Sequence, residues 1–343
     1  MSRPLNVLYL GGGTGGHIFP LYALYQWLQR AGMSGDGSLF VGLQGRIDSA
    51  IYGELKVPHK LESLPQPAGW TARLHYLWRA AMAWCVWLMR VRQFDVVVTS
   101  GGYGALPALL AARIRSVPIV GYEPNAVTGR TMRFVGASAL RDLARPFAGE
   151  AAPLIRTELY PQSVTEKNAS RTLLICGGSQ GSLSLDKLML EVLRTGWPAG
   201  IEHVVWLTGS AGYDEVEAAF GNDPRFEIAA YSSDMPELYR RAQLAVARAG
   251  ASSIFELAAW GIAAVYVPLP WSADDHQLAN ARAAEARGWG LAVQERDGVA
   301  ALSQALVRAA QYVVPAQARP TAHAAQTYWM RRVQAATGGN ACA

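Results

Sequence analysis

The chain has 343 residues, 51% of them apolar and 17% charged, which excludes a disordered chain and a small stapled scaffold and makes two domains the expectation. The three cysteines, Cys85, Cys176 and Cys342, have no paired spacing for a metal or a disulfide framework and fit a reducing compartment. The formal charge of +5 is uneven, with 15 Lys and Arg against 8 Asp and Glu in residues 1–150 and 16 against 18 in the rest; this argues against a nucleic-acid binder and for a first half that faces an anionic lipid or a pyrophosphate.

From the N-terminus, residues 5–10 read as a fully buried strand, too short an apolar run for a secretory signal. A glycine loop at 11–16 opens a helical pattern from near His17 towards Gln29. Next come a strand at 38–42, a helical stretch through 73–92, a β-branched strand at 94–99, a second glycine loop at 100–104 leading into a helix, and a strand at 117–121. The second half begins again in the same way, with a strand at 172–176, a glycine loop at 177–181 and a helix at 182–194, followed by strands at 203–208, 244–247 and 263–268. This alternation predicts an α/β fold of two doubly wound, Rossmann-like domains facing across a cleft, with the glycine loops at the carboxyl ends of the strands. The predicted domains are 1–155 and 156–343, joined in the Pro/Ala/Gly-rich segment 145–161, with a C-terminal helix at about 320–336 as a candidate to return to the first. The longest apolar run, residues 80–89, is about half of what a membrane span needs, so the chain is expected to stay on one side of a bilayer.

Gly11, Gly13 and Gly16 satisfy G-x-G-x-x-G between a strand and a helix, which raises a nicotinamide or flavin enzyme. That reading needs an acid at the end of the second strand to hold ribose hydroxyls. Asp36 has the right count but precedes the strand, and Leu43 and Gln44 follow it. No G-x-x-x-x-G-K-[ST] occurs either. What remains is a backbone cradle for a diphosphate or a sugar, or a tight turn that lets strand and helix meet. Ser100, Gly101, Gly102, Tyr103 and Gly104 repeat the device. Arg248, Gly250, Ala251, Ser252 and Ser253 place small residues at another helix start, with Glu256 one turn in. A carboxylate there can accept hydrogen bonds from a ribose diol, or pair with the helix dipole. Asp274, Asp275, His276, Gln277 and Asn280 supply polar side chains after the last strand.

Taken together and in order, Gly12-Gly13-Thr14-Gly15-Gly16-His17, Ser100-Gly101-Gly102-Tyr103, Glu123-x-Asn125, Gly177-Gly178-Ser179-Gln180-Gly181, Asp234-Met235, Arg248-x-Gly250-Ala251, Glu256 and His276-Gln277-x-x-Asn280 resemble the peptidoglycan N-acetylglucosaminyltransferases of the two-domain GT-B glycosyltransferase group, the MurG family. The resemblance implies inverting transfer of N-acetylglucosamine (GlcNAc) from UDP-GlcNAc to the 4-hydroxyl of undecaprenyl-pyrophosphoryl-MurNAc-pentapeptide (lipid I), giving lipid II. It further implies a peripheral location on the cytoplasmic face of the bacterial membrane. By resemblance, Ser179 and Arg248 lie near the diphosphate or sugar, Glu256 on the ribose and Gln277 on the GlcNAc. Thr14, Gly15, Gly16 and Asn125 reach over from the first domain, and Gly13, Ser100, Gly101, Gly102 and Tyr103 cradle the acceptor pyrophosphate. Three departures leave a divergent lipid acceptor or a non-catalytic nucleotide-sugar binder as alternatives. The family's His-Glu-Gln-Asn reads Tyr122-Glu123-Pro124-Asn125, an Asn is replaced by Asp186, and the junction's Asn-Pro-Val-Arg survives only as Pro153-Leu154-Ile155-Arg156.

Such transfer needs a base for the acceptor hydroxyl and positive charge or dipoles for the departing UDP. His17, at a helix start where the dipole disfavours imidazolium, and Glu123 are the two candidates for the base. The amides at Ala251, Ser252 and Ser253 and the Arg248 guanidinium are the candidate stabilisers of the leaving group. No Asp-x-Asp occurs, so no tightly held metal and no required cofactor is expected, and a loosely bound Mg²⁺ stays open.

No acidic residue falls between Ser63 and Phe94, where Arg73, Arg79, Arg90 and Arg92 alternate with Trp70, Trp78, Trp84 and Trp87. At about 100° per residue one buried stripe cannot take Trp78, Trp84 and Trp87 together, so some face outwards. Arg73, Trp78, Arg79, Trp84, Trp87 and Arg90 are therefore the candidate contacts with an anionic membrane surface. The competing reading makes Leu74, Leu77, Trp78, Ala81, Trp84, Cys85 and Leu88 an ordinary core face.

Overall fold

The computed structural model describes residues 3–66, 69–135, 143–149, 151–162, 171–178, 180–198, 200–271 and 275–338. Contacts among them divide the chain into two units. The first holds the residues up to Pro124, Thr128–Arg156 and those from Ala322 onward; the second holds Asn125–Val127 and Thr157–Thr321.

In the first unit the order is β1 (Val7–Leu10), α1 (Gly15–Arg30), β2 (Leu39–Leu43), α2 (Asp48–Leu55), β3 (His59–Glu62), α3 (Trp70–Arg90), β4 (Val96–Thr99), α4 (Leu106–Ile114), β5 (Ile119–Tyr122), α5 (Arg130–Val135) and β6 (Leu143–Ala144). The six strands are parallel in the order β3-β2-β1-β4-β5-β6. Four-residue apolar strands such as β1 and β4 are buried throughout, as expected where helices cover both faces of a parallel sheet.

The second unit repeats the plan with β7 (Thr172–Cys176), α6 (Leu183–Thr195), β8 (His203–Leu207), α7 (Tyr213–Phe220), β9 (Phe226–Ala229), α8 (Met235–Arg241), β10 (Ala242–Ala247), α9 (Ala251–Ala259), β11 (Ala263–Tyr266), α10 (His276–Ala286), β12 (Leu291–Ala292) and α11 (Gly298–Ala310). Its parallel sheet runs β12-β11-β10-β7-β8-β9. Counted within each unit, both sheets have the order 3-2-1-4-5-6. The direction of winding therefore reverses between β1 and β4 and between β7 and β10, where a doubly wound sheet opens a crevice at its carboxyl edge. All four glycine-bearing loops leave from these strands.

The final helix, α12 (Ala322–Ala336), belongs to the first unit. Its Trp329 is fully buried, meets the Tyr122 ring edge to face at 5.5 Å, and donates its indole N–H to the Ala152 carbonyl. The Tyr122 hydroxyl in turn accepts the Leu154 N–H at 3.2 Å. Tyr122, at a position where the sequence departs from the family pattern, is thus a core residue that ties β5 to the inter-unit segment.

Asp186 sits in the first turn of α6 and is almost fully buried. Its Oδ1 accepts the Trp206 indole N–H at 2.8 Å, and its Oδ2 has no partner among the described residues. Burial pushes the carboxyl up to about 6, opposed by the Trp206 hydrogen bond and the nearby Arg248. The folded protein therefore holds this proton to a higher pH than the unfolded chain does. The stabilising contribution is complete below about pH 4 and is lost as pH rises through about 6. Denaturant melts at pH 4 and pH 7 check this: Asp186→Asn should gain on the order of 2 kcal/mol relative to the parent between the two pH values.

Candidate functional site

In the first unit, β1 runs into Gly11, and α1 starts at Gly15 behind an extended Thr14 whose side chain makes no capping bond. The first turn of α1 contains no acid, which leaves its amide end attractive to an anion. The loop is braced by α2. Asp48 is fully buried and its carboxylate accepts the Gly13 N–H at 2.7 and 3.0 Å and the Leu43 N–H at 2.7 Å. One turn further along α2, Tyr52 donates its hydroxyl to the Gly11 carbonyl at 2.7 Å. A β-carbon at Gly12 would collide with Asp48 Oδ2, and Gly13 has φ +89°. The Gly13 amide is therefore turned inward to Asp48 rather than towards a pyrophosphate, which moves the candidate cradle to the amides of Thr14, Gly15 and Gly16.

The second loop locks onto the first. Thr99 donates its hydroxyl to the Leu10 carbonyl, and the buried Ser100 donates its own to the His17 carbonyl at 2.8 Å. Gly101 and Gly102 both have φ +89°, and a β-carbon at Gly102 would lie 3.2 Å from the Gly12 carbonyl oxygen. Tyr103 follows, its carbonyl accepting the Tyr76 hydroxyl of α3 at 2.9 Å. Gly13, Ser100, Gly101, Gly102 and Tyr103 are thus brought together, and His17 stands half-buried beside them in the first turn of α1.

Glu123 is buried at the end of β5, where its carboxylate accepts the Gly129 N–H at 2.7 Å. Arg156 lies with its guanidinium 4.4 Å from the centre of the Phe19 ring of α1.

In the second unit, Arg248 is buried at the end of β10. Its guanidinium donates to Ser182 Oγ, Ser184 Oγ, the carbonyls of Val267 and Pro268, and Glu295. These bonds take up all five of its N–H groups. The side chain clamps the loop before α6 to the end of β11, so its place is behind the glycine loop rather than on a ligand. Ser179 lies outside the described residues.

Helix α9 begins after Gly250, with Ala251, Ser252 and Ser253 at its amide end and no acid in its first turn. Along this otherwise buried helix Ser252, Ser253 and Glu256 alone reach partial exposure, a single stripe at helical spacing. Glu256 Oε2 accepts the Tyr239 hydroxyl at 2.7 Å. Its charge adds to burial in pushing the neighbouring Cys176 thiol up to about 12, so that sulfur stays a neutral thiol. Gln277 Oε1 accepts the Leu269 N–H at 2.9 Å, which fixes the orientation of its amide. Asn280, fully buried, donates to the Asn125 side chain and the Ala249 carbonyl and accepts the Ala126 N–H. This explains why Asn125–Val127 group with the second unit.

Sequence reasoning missed Asp48, Tyr52, Tyr239, Ser182 and Glu295. The only local signal for the first pair is an acid at a helix start with a tyrosine four residues on. Asp48 lies at the start of α2, beyond the end of β2 where a dinucleotide ribose would need its acid, and it is fully buried against two backbone amides. Among the described residues, no group of three His, Cys, Asp or Glu is placed to hold a metal ion.

Helix α3 differs from the expected membrane contact at one residue and from the expected core face at several. Trp87 is 2% exposed and packs among Leu8, Val91, Phe94 and Val97, with Lys60 over its ring at 4.9 Å, so it is a core residue. Its position, nine residues after Trp78, points it to the opposite side of the helix. Trp84 is half-buried, and Trp78 is 58% exposed. Leu74, Leu77, Trp78, Ala81 and Cys85, which the competing reading placed in the core, are exposed, and Trp70, Met82 and Met89 extend the same outward face. Arg73 and Arg90 are exposed as well, while Arg79 donates to the Ser63 carbonyl at 3.0 Å.

Comparison with known proteins agrees with this architecture. A Synechococcus sp. protein (strain JA-2-3B'a(2-13)) named UDP-N-acetylglucosamine--N-acetylmuramyl-(pentapeptide) pyrophosphoryl-undecaprenol N-acetylglucosamine transferase is 31% identical over 86% of this chain and 83% of its own length. A Salinibacter ruber protein of the same name is 32% identical over 86% of this chain and 85% of its own. The crystal structure of Acinetobacter baumannii MurG superposes with a TM-score of 0.74 at 24% identity, covering 98% of this chain and 100% of that one, a likeness of fold. Residues 7–141 match the glycosyltransferase family 28 N-terminal domain and residues 172–327 its C-terminal domain, and the chain belongs to glycosyltransferase family 28.

Proposed function

We propose that this enzyme transfers GlcNAc from UDP-GlcNAc to the 4-hydroxyl of the muramoyl sugar of lipid I, with inversion, to give lipid II. The observation that carries the reading is the stripe of Ser252, Ser253 and Glu256 on α9, at the switch point of the second sheet. Amides at the start of that helix meet the diphosphate, and a carboxylate one turn on takes the ribose diol. Tyr239 keeps the Glu256 carboxylate turned to one side by its hydroxyl, and Gln277 selects the sugar through its amide.

In the reaction the bond from the anomeric carbon to the UDP oxygen breaks as the acceptor oxygen attacks from the opposite face. His17 takes the acceptor proton, since it stands where the two interlocked loops of the first unit meet. Glu123 organises the turn up to Gly129. The negative charge that builds on the departing UDP is met by the Ala251, Ser252 and Ser253 amides, with Arg248 holding the neighbouring loop in place. No cofactor is required in this scheme. The acceptor pyrophosphate lies on the amides of Thr14, Gly15 and Gly16, beside Ser100 and Tyr103.

The acceptor is a membrane lipid, and among the described residues no helix is long and apolar enough to cross a membrane. The exposed face of α3, with Leu74, Leu77, Trp78 and Met82 beside Arg73 and Arg90, is the surface that rests on anionic lipid at the cytoplasmic face.

Incubation with UDP-GlcNAc and a lipid I analogue should yield the disaccharide product by mass spectrometry, and absence of product overturns the reading. Glu256→Ala should raise the KM for UDP-GlcNAc by about 10- to 100-fold, whereas His17→Ala should lower kcat by about 10²- to 10⁴-fold with UDP affinity unchanged. For the membrane face, sedimentation with anionic vesicles should show Leu77→Glu with Trp78→Ala binding at least about tenfold more weakly than the parent. Equal binding of the two proteins would remove α3 from that role.

A further inference from the structure

Asp48 and Tyr52 have no part in the chemistry described above, yet both point at the loop on which the acceptor's phosphates are placed. They occupy positions i and i+4 of α2 and so share one face of it. From that face Asp48 accepts the Gly13 amide and Tyr52 donates to the Gly11 carbonyl, one bond on each side of Gly12. Asp48 thus sets the Gly12–Gly13 peptide, whose carbonyl oxygen lies on the side of Gly102, and Tyr52 fixes the Gly11–Gly12 peptide before it. A peptide flanked by two glycines is otherwise free to flip, because neither residue has a β-carbon to oppose it.

Asp48 also accepts the Leu43 amide at the end of β2, so the carboxylate ties three chain segments to one point. Gly42 leaves room for it, since a β-carbon there would lie 2.7 Å from Asp48 Oδ2. A carboxylate is the side chain suited to this place because all of its lone pairs accept. An amide in the same pose would turn an N–H towards one of the backbone donors.

From this geometry we infer that Asp48, seconded by Tyr52, is a positioning residue for the acceptor. It holds the Gly12–Gly13 peptide with its N–H inward, so that the amides of Thr14, Gly15 and Gly16 and the first turn carrying His17 present one fixed surface to the acceptor pyrophosphate. The inference rests on the reading of that loop as the acceptor's phosphate site. It assigns nothing to the nucleotide-binding unit, which contains neither residue.

The test uses Asp48→Asn and Tyr52→Phe in the full chain, with two readouts. Steady-state kinetics with a lipid I analogue should show the acceptor KM raised about 10- to 100-fold in Asp48→Asn and by a smaller factor in Tyr52→Phe, while UDP affinity measured by calorimetry stays that of the parent. Hydrogen exchange should show the peptide covering residues 11–17 protected in the parent and exposed in the variants. A merely structural role would lower the fraction of active protein and kcat with it, leaving the acceptor KM in place. An acceptor KM within twofold of the parent in every variant that folds, or unchanged exchange over residues 11–17, overturns the inference. If the parent makes no product from lipid I, the proposed function fails instead, and exchange alone decides for or against the Asp48 brace.

Discussion

A glycine-rich loop can grip a phosphate only while it is held in one conformation, because glycine gives up more backbone entropy on ordering than any other residue. Each unit of this protein holds such a loop from behind with a buried charge. In the first, the Asp48 carboxylate accepts backbone amides of the loop after β1 and of the end of β2. In the second, the Arg248 guanidinium donates to Ser182 and Ser184, beyond the loop after β7, and to the carbonyls that end β11. The two braces have opposite sign and the same consequence. Both charges are taken up by protein groups behind the loops, and the first turns of α1 and α9 carry no acid.

Two of the departures from the family pattern are buried side chains with protein partners of their own. Tyr122 stands where the family has histidine, and here it belongs to an aromatic contact with Trp329 that seats the C-terminal helix on β5. Asp186 stands where the family has asparagine, and its Oδ1 receives the Trp206 indole N–H. Both side chains are buried and bonded to protein groups, Tyr122 to the Leu154 N–H and Asp186 to the Trp206 indole.

Helix α3 joins the surface of the first unit to its site. Its outward face is apolar and rimmed by arginines, whereas its inward face sends Trp87 into the core and the Tyr76 hydroxyl to the Tyr103 carbonyl. The helix that carries the exposed face and the glycine loop after β4 are therefore joined by one direct hydrogen bond, from Tyr76 to Tyr103.

By itself the sequence determined the α/β class, the two winding units and their central strands, because β1, β4, β7 and the 244–247 stretch of β10 are buried on both faces and read as largely apolar runs. It also marked the switch-point loops, since only small residues can lie where two backbones approach. It did not show β3, β6, β9 and β12, the four edge strands, which are short or half-exposed and carry no such run. Tertiary structure alone decided which side of α3 meets the core, and so moved Trp87 from the surface to the interior. It alone decided that Asp48 and Arg248 stand behind the glycine loops, because a buried charge is recognised by the backbone groups that surround it, and those come from segments up to 66 residues away in the chain. Hydrophobic periodicity is a local property and could be read along the chain, whereas hydrogen-bond partners are supplied by the fold.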